Sequence, residues 1–410
     1  MKRLAALAIL AIGLTGGLGA CGDGGETTGS DNNEVTLSVW GPQEDQVDQS
    51  SWLQTQEAAF AAAHPEWKIT WKNSVVSEGD AAVTVKQDTS AAADVYMFAN
   101  DQLGTLVEAS AIGVLPPDAL AQVKEQNSDV MVDSVTGADG QVYGAPFTAN
   151  TWFMYYDKAV FSDEDIKSLD TMLAKGKVAF PLDTAWYIPS FYIGNGCTMY
   201  GPDGTDEAAG VDFSGAKGAD VTAYLAGLAA NSNFVVDSNG AGLAGIEDRT
   251  IGAFFSGTWD AAKVQDALGD DFGAAQLPSF DLGGKAVQMK SFAGSKAIAF
   301  NPNAKNPQAA AAFAAFLGST AAQKAHYDMR GIVPTDNSLA SDAAVAADPV
   351  ATAQIDTIAN TSVAQPTVPA MNNFWDPTEN FGKGLVSKEV TAANAAEKTE
   401  AWNTSLNAGS

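Results

Sequence analysis

The sequence predicts an α/β protein of two domains. Short runs with strand character interleave with helical stretches along most of the chain, a rhythm that builds sheets covered by helices. Of its 410 residues, about 390 follow an apolar leader, a length that points to two domains rather than one. No self-similarity with a period of about 20–50 residues is present, which argues against solenoids and propellers.

Val35 to Trp40 alternates apolar and polar residues and predicts a strand. Ser51 to Ala63 predicts a helix with Trp52 and Phe60 in its apolar set, ending at His64-Pro65. Trp67, Ile69 and Trp71 alternate with Lys68, Thr70 and Lys72, as in a half-buried strand. Asp94 to Phe98 predicts a buried strand and Gln102 to Ala111 a helix, and the whole rhythm implies parallel sheets. A second series begins after Gly144-Ala145-Pro146. It predicts strands over Thr151–Tyr156, Ile251–Phe255 and Ser291–Phe300, and helices over Val221–Ala230, Pro307–Leu317, Thr320–Arg330 and Val390–Leu406. The Pro307–Leu317 stretch is rich in alanine, and Gly331 suits a C-cap.

The leader has Lys2 and Arg3 ahead of an apolar run and small residues before Cys21, the pattern of a secretory signal. Gly13, Gly16, Gly17 and Gly19 make it a poor permanent membrane helix. Leu18-Gly19-Ala20-Cys21 resembles a bacterial lipobox, which implies lipidation of Cys21 after cleavage. The polar stretch from Gly22 to Asn33 reads as a flexible tether. The formal charge of −27 becomes two units more negative once Lys2 and Arg3 are removed. So acidic a surface repels phosphate backbones, which excludes nucleic acid as an expected partner. With Cys21 lipidated, Cys197 has no disulfide partner, so the core must be self-sufficient.

Much familiar chemistry is missing. His64 and His326 are the only histidines, each in or beside a helical stretch without a ligand set, which excludes a His-based triad or zinc site. Neither a nucleophile elbow nor a P-loop occurs. Gly240-Ala-Gly242-Leu-Ala-Gly245 matches a dinucleotide fingerprint in letters, but Val235-Val236 is short for the strand it requires, so a loop is expected. Tyr155-Tyr156 could serve a ferric ion. Strand alternation sends the pair to opposite faces, so one tyrosine in the core and one at the surface is expected. Carboxylates are abundant, and a glycosidase needs two of them about 5–10 Å apart; a secreted glycoside-acting enzyme stays as an alternative.

Of the nine tryptophans, Trp52, Trp67, Trp71 and Trp402 fall on regular periodicity and are expected in the core. Other rings stand at strand ends or in loops beside hydrogen-bonding side chains: Trp40, Phe98, Trp152, Trp186, Trp259 and Trp375. Ligands of open α/β sheets bind beyond the carboxyl ends of strands. An aromatic face beside carboxylates and amides suits a sugar, whose C–H face packs on the ring. Its hydroxyls need in-plane partners, each unpaired one costing about 1–3 kcal/mol when buried.

Assembled in order, VTLSVWG, ADVYMFANDQLG, VYGAPFTANTWFMYYDK, FFSGTWDAAK, LPSF, MRGIVPT and PTVPAMNNFW resemble the extracellular solute-binding proteins of carbohydrate ABC transporters, most of all the maltose/maltodextrin-binding group. The resemblance spans nearly the whole mature chain. It implies a two-lobe periplasmic-binding-protein-like α/β fold of type II, with the ligand in an interlobe cleft. The implied organisation is a lipoprotein signal peptide over 1–20 and a tether over 21–34. An N-terminal lobe then takes 35–148 plus 294–345, a C-terminal lobe 152–290 plus 349–410, and crossovers lie near 148–151, 291–293 and 346–348.

By the same resemblance, Trp40, Glu44 or Asp45, Phe98 and Asp101 would contact the sugar from the N-terminal lobe, and Trp186, Trp259 and Trp375 would form a C-lobe platform. Gln102 stands where these binders commonly carry arginine, Asn150 and Thr184 (beside Asp183) where glutamates are usual, and Asp376 where a tyrosine is. The platform is kept while the polar partners change, which points to an oligosaccharide more firmly than to maltose. The implied function is capture of an oligosaccharide, foremost a maltodextrin, without catalysis or cofactor. The chain would be a lipid-anchored monomer on the outer face of the cytoplasmic membrane, delivering its ligand to the permease subunits of an importer. Another oligosaccharide, or a non-sugar solute such as a polyamine or ferric ion, is the alternative ligand.

Overall fold

Two mixed β-sheets organise the protein. The computed structural model describes residues 33–48, 50–88 and 92–408, so Cys21 and the leader lie outside the described residues. The first sheet runs in the order Ser362–Ala364, Ser291–Phe300, Val95–Ala99, Glu34–Gly41, Lys68–Val75, with Ala145–Asn150 also paired to Ser291–Phe300. The second runs Phe272–Ala275, Phe153–Asp157, Ala253–Ser256, Val178–Phe180, Phe234–Val236. Both belong to one compact unit.

The sheets are not purely parallel as expected. Ser291–Phe300 is antiparallel to Val95–Ala99 and Ala145–Asn150, and Phe153–Asp157 is antiparallel to both its neighbours. These are the strands by which the chain enters each sheet after leaving the other, so they arrive against the βαβ direction. The chain passes from first sheet to second at Thr151-Trp152, between adjacent strands.

Local chemistry explains the elements. In Glu34–Gly41, Val35, Leu37 and Val39 are buried and pair in parallel with Lys68–Val75. Pro307 opens the Pro307–Leu317 helix at its first turn, and that helix lays a small, mostly alanine face with Phe313 and Leu317 on the sheet. Burying one such large side chain contributes about 1.5–3 kcal/mol. Thr320–Arg330 ends at Gly331, whose φ of 66° is the left-handed cap that favours glycine. Trp52 and Trp402 are buried, whereas Trp67 and Trp71 are half-buried around Phe60 and Phe313.

Three expectations fail here. Gly240–Gly245 is not a loop: Phe234–Val236 is a strand and Ala241–Glu247 a helix. The Asp237 carboxylate accepts the Gly242 N–H at 2.7 Å, so the helix start already has its anion. Tyr155 and Tyr156 are both buried, because helices cover both faces of the second sheet; their hydroxyls donate to the Gly257 carbonyl and to Asp163. The last helix begins at Ala395, not Val390, since Asn394 first closes a turn on Thr391.

Candidate functional site

A cavity of about 470 Å³ opens where the ends of the two sheets face each other. That is within the usual range of about 300–1,000 Å³ for small-ligand pockets. Pro42, Glu44 and Asp45 come from the turn after the first strand, and Ser77 and Glu78 from the loop after Lys68–Val75. Phe147 to Asn150 and Lys296 come from paired strands, and His326 and Arg330 to Ile332 from a helix end. Across from them, Thr258 and Trp259 come from the turn after Ala253–Ser256.

Among the described residues, Trp259 is the only exposed tryptophan, at 54%. It follows Gly257, where any side chain would collide with the indole, so glycine lets the ring lie back over its own turn. Trp186 lies beside it, ring centroids 6.1 Å apart and inclined by 31°. The Trp186 indole N–H donates to Gln365 at 3.0 Å, and the Gln365 N–H donates to the Ala293 carbonyl at 2.8 Å. The Trp186 ring is thus fixed, through Gln365, to the Ser291–Phe300 strand of the first sheet. Trp375, the first residue of the Trp375–Val386 helix, stands half-buried and edge-on to Phe374, and Asp376 beside it is exposed.

The opposite wall is charged. His326 Nε2 lies 3.0 Å from Asp45 Oδ1, with both side chains buried. Arg330 donates to the Glu44 carbonyl at 2.6 Å. Lys296 Nζ lies 3.3 Å from Glu78 Oε1. Thus the wall offers cations and carboxylates to hydroxyl groups, opposite a wall that offers rings. Among the described residues, no cluster of histidine, cysteine and carboxylate side chains is arranged to hold a metal.

Of the sequence-derived site residues, Glu44 (with its neighbour Asp45), Asn150 and Trp259 line this cavity. Trp186 adjoins it through Trp259. Three do not serve as expected. Trp40 is 7% exposed and packs on Tyr96 within the core. Phe98 is fully buried in the same cluster, because helices Ala81–Gln87 and Leu103–Glu108 close over that end of the sheet. Gln102 spends its amide on the protein, accepting the Ala82 N–H at 2.8 Å and donating to the Gly79 carbonyl. Asp101 and Asp183 do not line this cavity. Asp101 is half-buried, and burial holds its carboxyl above the usual range. Asp183 accepts a hydrogen bond from Ser238. Asp237 nearby is also raised, by burial first and then by Asp260 and Asp183.

The sequence reading missed Glu78, Lys296, His326 and Arg330. Lys296 left a signal: it is the one charge in SFAGSKAIAF. The others come from segments far apart in sequence, and nothing local marks them.

A model of the bacterial extracellular solute-binding protein family matches residues 56–353. A structure solved with acarbose is 51% identical, with a TM-score of 0.84, covering 92% of this chain and 99% of its own. Maltodextrin binding protein MalE1 from L. casei BL23, solved without ligand, is 29% identical with the same TM-score, 0.84, covering 91% and 99%. A maltooligosaccharide ABC transporter solute-binding lipoprotein of Streptococcus pneumoniae R6 is 26% identical over 354 residues, 80% of each chain.

Proposed function

The chain belongs to the bacterial extracellular solute-binding protein family and has its two-lobe type II fold, and from that premise we propose that it captures a maltodextrin-type oligosaccharide for an ABC importer. One observation carries the proposal. An exposed indole, Trp259, faces a wall of carboxylates, amides and cations across a cavity of about 470 Å³. Rings hold the C–H faces of glucose units, and the polar wall pairs their hydroxyls. Likeness to the acarbose-bound and maltodextrin-binding chains supports an α-glucan ligand.

The binding residues in this reading are Glu44, Asp45, Asn150, Trp259 and Trp186, with Asp101, Asp183 and Trp375 at the ends of a longer chain of sugar units. The lobes are 35–148 plus 294–345 and 152–290 plus 349–410, hinged near 148–151, 291–293 and 346–348. Support comes from Ser291–Ala293, which pairs with Ser362–Ala364 at the edge of the first sheet where the chain returns to it after the strands of the second sheet. Ligand contacts from both lobes would select the closed state, which docks on the permease. Cys21 carries the lipid anchor of a monomeric, non-catalytic receptor. The naming of the S. pneumoniae relative as a lipoprotein supports that placement.

Calorimetry with maltose, maltotriose, maltotetraose and acarbose tests the function. Heat with at least one α-glucan is expected. Silence with all four, or turnover of a chromogenic glycoside, overturns the reading.

A further inference from the structure

We propose that Lys296 and Glu78 are a specificity-determining pair that reads two adjacent neutral hydroxyls of the bound oligosaccharide; this rests on the function proposed above. Lys296 is the single residue of the ten-residue Ser291–Phe300 strand that is not buried. It sits at a break in register: Lys296 pairs with Thr148, but Ala297 pairs with Pro146, so Phe147 is extra. A bulge of this kind departs from strict alternation and re-aims side chains. Here Lys296, Phe147 and Thr148 all reach the cavity.

Glu78 is held on the other side of the ammonium. Its carbonyl accepts the Ala99 N–H at 3.1 Å, and Gln102 clamps the same loop through Gly79 and Ala82. Gln102 is therefore a positioning residue: it acts on the cavity through Glu78. The side chains of Lys296 and Glu78 are 38% and 9% exposed, 3.3 Å apart at their nearest atoms. An ammonium has three donors. A close charge-assisted bond is about 2.7–2.9 Å, so this looser pair has capacity left for ligand oxygens.

The neighbouring charges are already engaged, His326 with Asp45 and Arg330 with the Glu44 carbonyl. Lys296 and Glu78 together present a donor beside an acceptor. A vicinal diol presents the same alternation, one oxygen accepting from the ammonium and the other donating to the carboxylate. A ligand bearing a positive charge at that place would instead meet Lys296 unfavourably, and one lacking either hydroxyl would forfeit its bond to one member of the pair.

The test is calorimetry with maltotriose on the whole mature protein, with Trp259→Ala as the reference. Lys296→Met and Glu78→Gln are each expected to raise Kd at least about tenfold, with the ligand-free melting temperature unchanged. Gln102→Ala is expected to weaken binding in the wild type but not in the Glu78→Gln background, the coupling a positioning role through Glu78 requires. Should Lys296→Met fail to fold, Glu78→Gln keeps the side-chain shape and carries the same test. A Kd within twofold of wild type for Glu78→Gln or for a folded Lys296→Met, while Trp259→Ala still weakens binding, overturns the proposal and leaves the function intact. Silence of the wild type with maltose, maltotriose, maltotetraose and acarbose alike overturns the function instead.

Discussion

His326 Nε2 lies 3.0 Å from Asp45 Oδ1, joining the helix Thr320–Arg330 to the turn after the first strand. The imidazole also stacks on Trp52, centroids 4.3 Å apart. Hydrogen bonds to charged groups contribute about 1.5–3 kcal/mol, and ring pairs about 0.5–1.5 more. His326→Ala is expected to lose stability of about that sum, read from urea unfolding midpoints. A loss below about 0.5 kcal/mol would show the pair to be incidental.

Trp259→Ala should separate binding from folding. The ring is half-exposed, so its removal opens no core cavity. Calorimetry is expected to show maltodextrin affinity falling by at least about tenfold, or 1.4 kcal/mol, at an unchanged melting temperature. Trp375→Ala should weaken binding and lower the melting temperature together, because that ring also packs on Phe374.

Glu57 makes stability depend on pH. Burial pushes its carboxyl up to about 7, partly offset by a hydrogen bond from Asn73. Between its ordinary value and 7, the folded protein holds a proton that the unfolded chain releases. Stability therefore falls as pH rises through that window, and below it the group contributes nothing. Glu57→Gln is expected to raise the melting temperature at pH 8 and to lose that advantage near pH 4. A pH-independent gain would contradict the assignment.

Gly294→Ala tests the packing near the start of the Ser291–Phe300 strand. A methyl group there would run into the Asn100 side chain, which is fully buried with neither amide atom partnered. Overpacking of this kind costs about 1–3 kcal/mol. A lower melting temperature is expected, and an unchanged one would place Asn100 elsewhere.

The elements best read from sequence are those with chemical punctuation. Pro307 and Gly331 bracket helices whose ends match expectation, and SFAGSKAIAF matches its strand from end to end. Ring placement was half-legible. Trp40, Phe98 and Trp259 all follow or end strands, but only Trp259 lies within a turn that leaves it open. Helices supplied from elsewhere cover the other two, and no local pattern records that. The charged wall was least legible, since Asp45, Glu78, Lys296 and His326 meet only through the tertiary fold.

Trp259 also gives the protein a built-in optical readout. Its indole is the one tryptophan among the described residues that stands in bulk water, while Trp52, Trp152 and Trp402 are shielded from it. A guest that covers this ring strips solvent from it and from the half-buried Trp186 beside it, against a constant background from the three shielded rings. Capture would then register as a change in emission without any attached dye, with the Trp259–Trp186 pair setting the sensitivity of the signal.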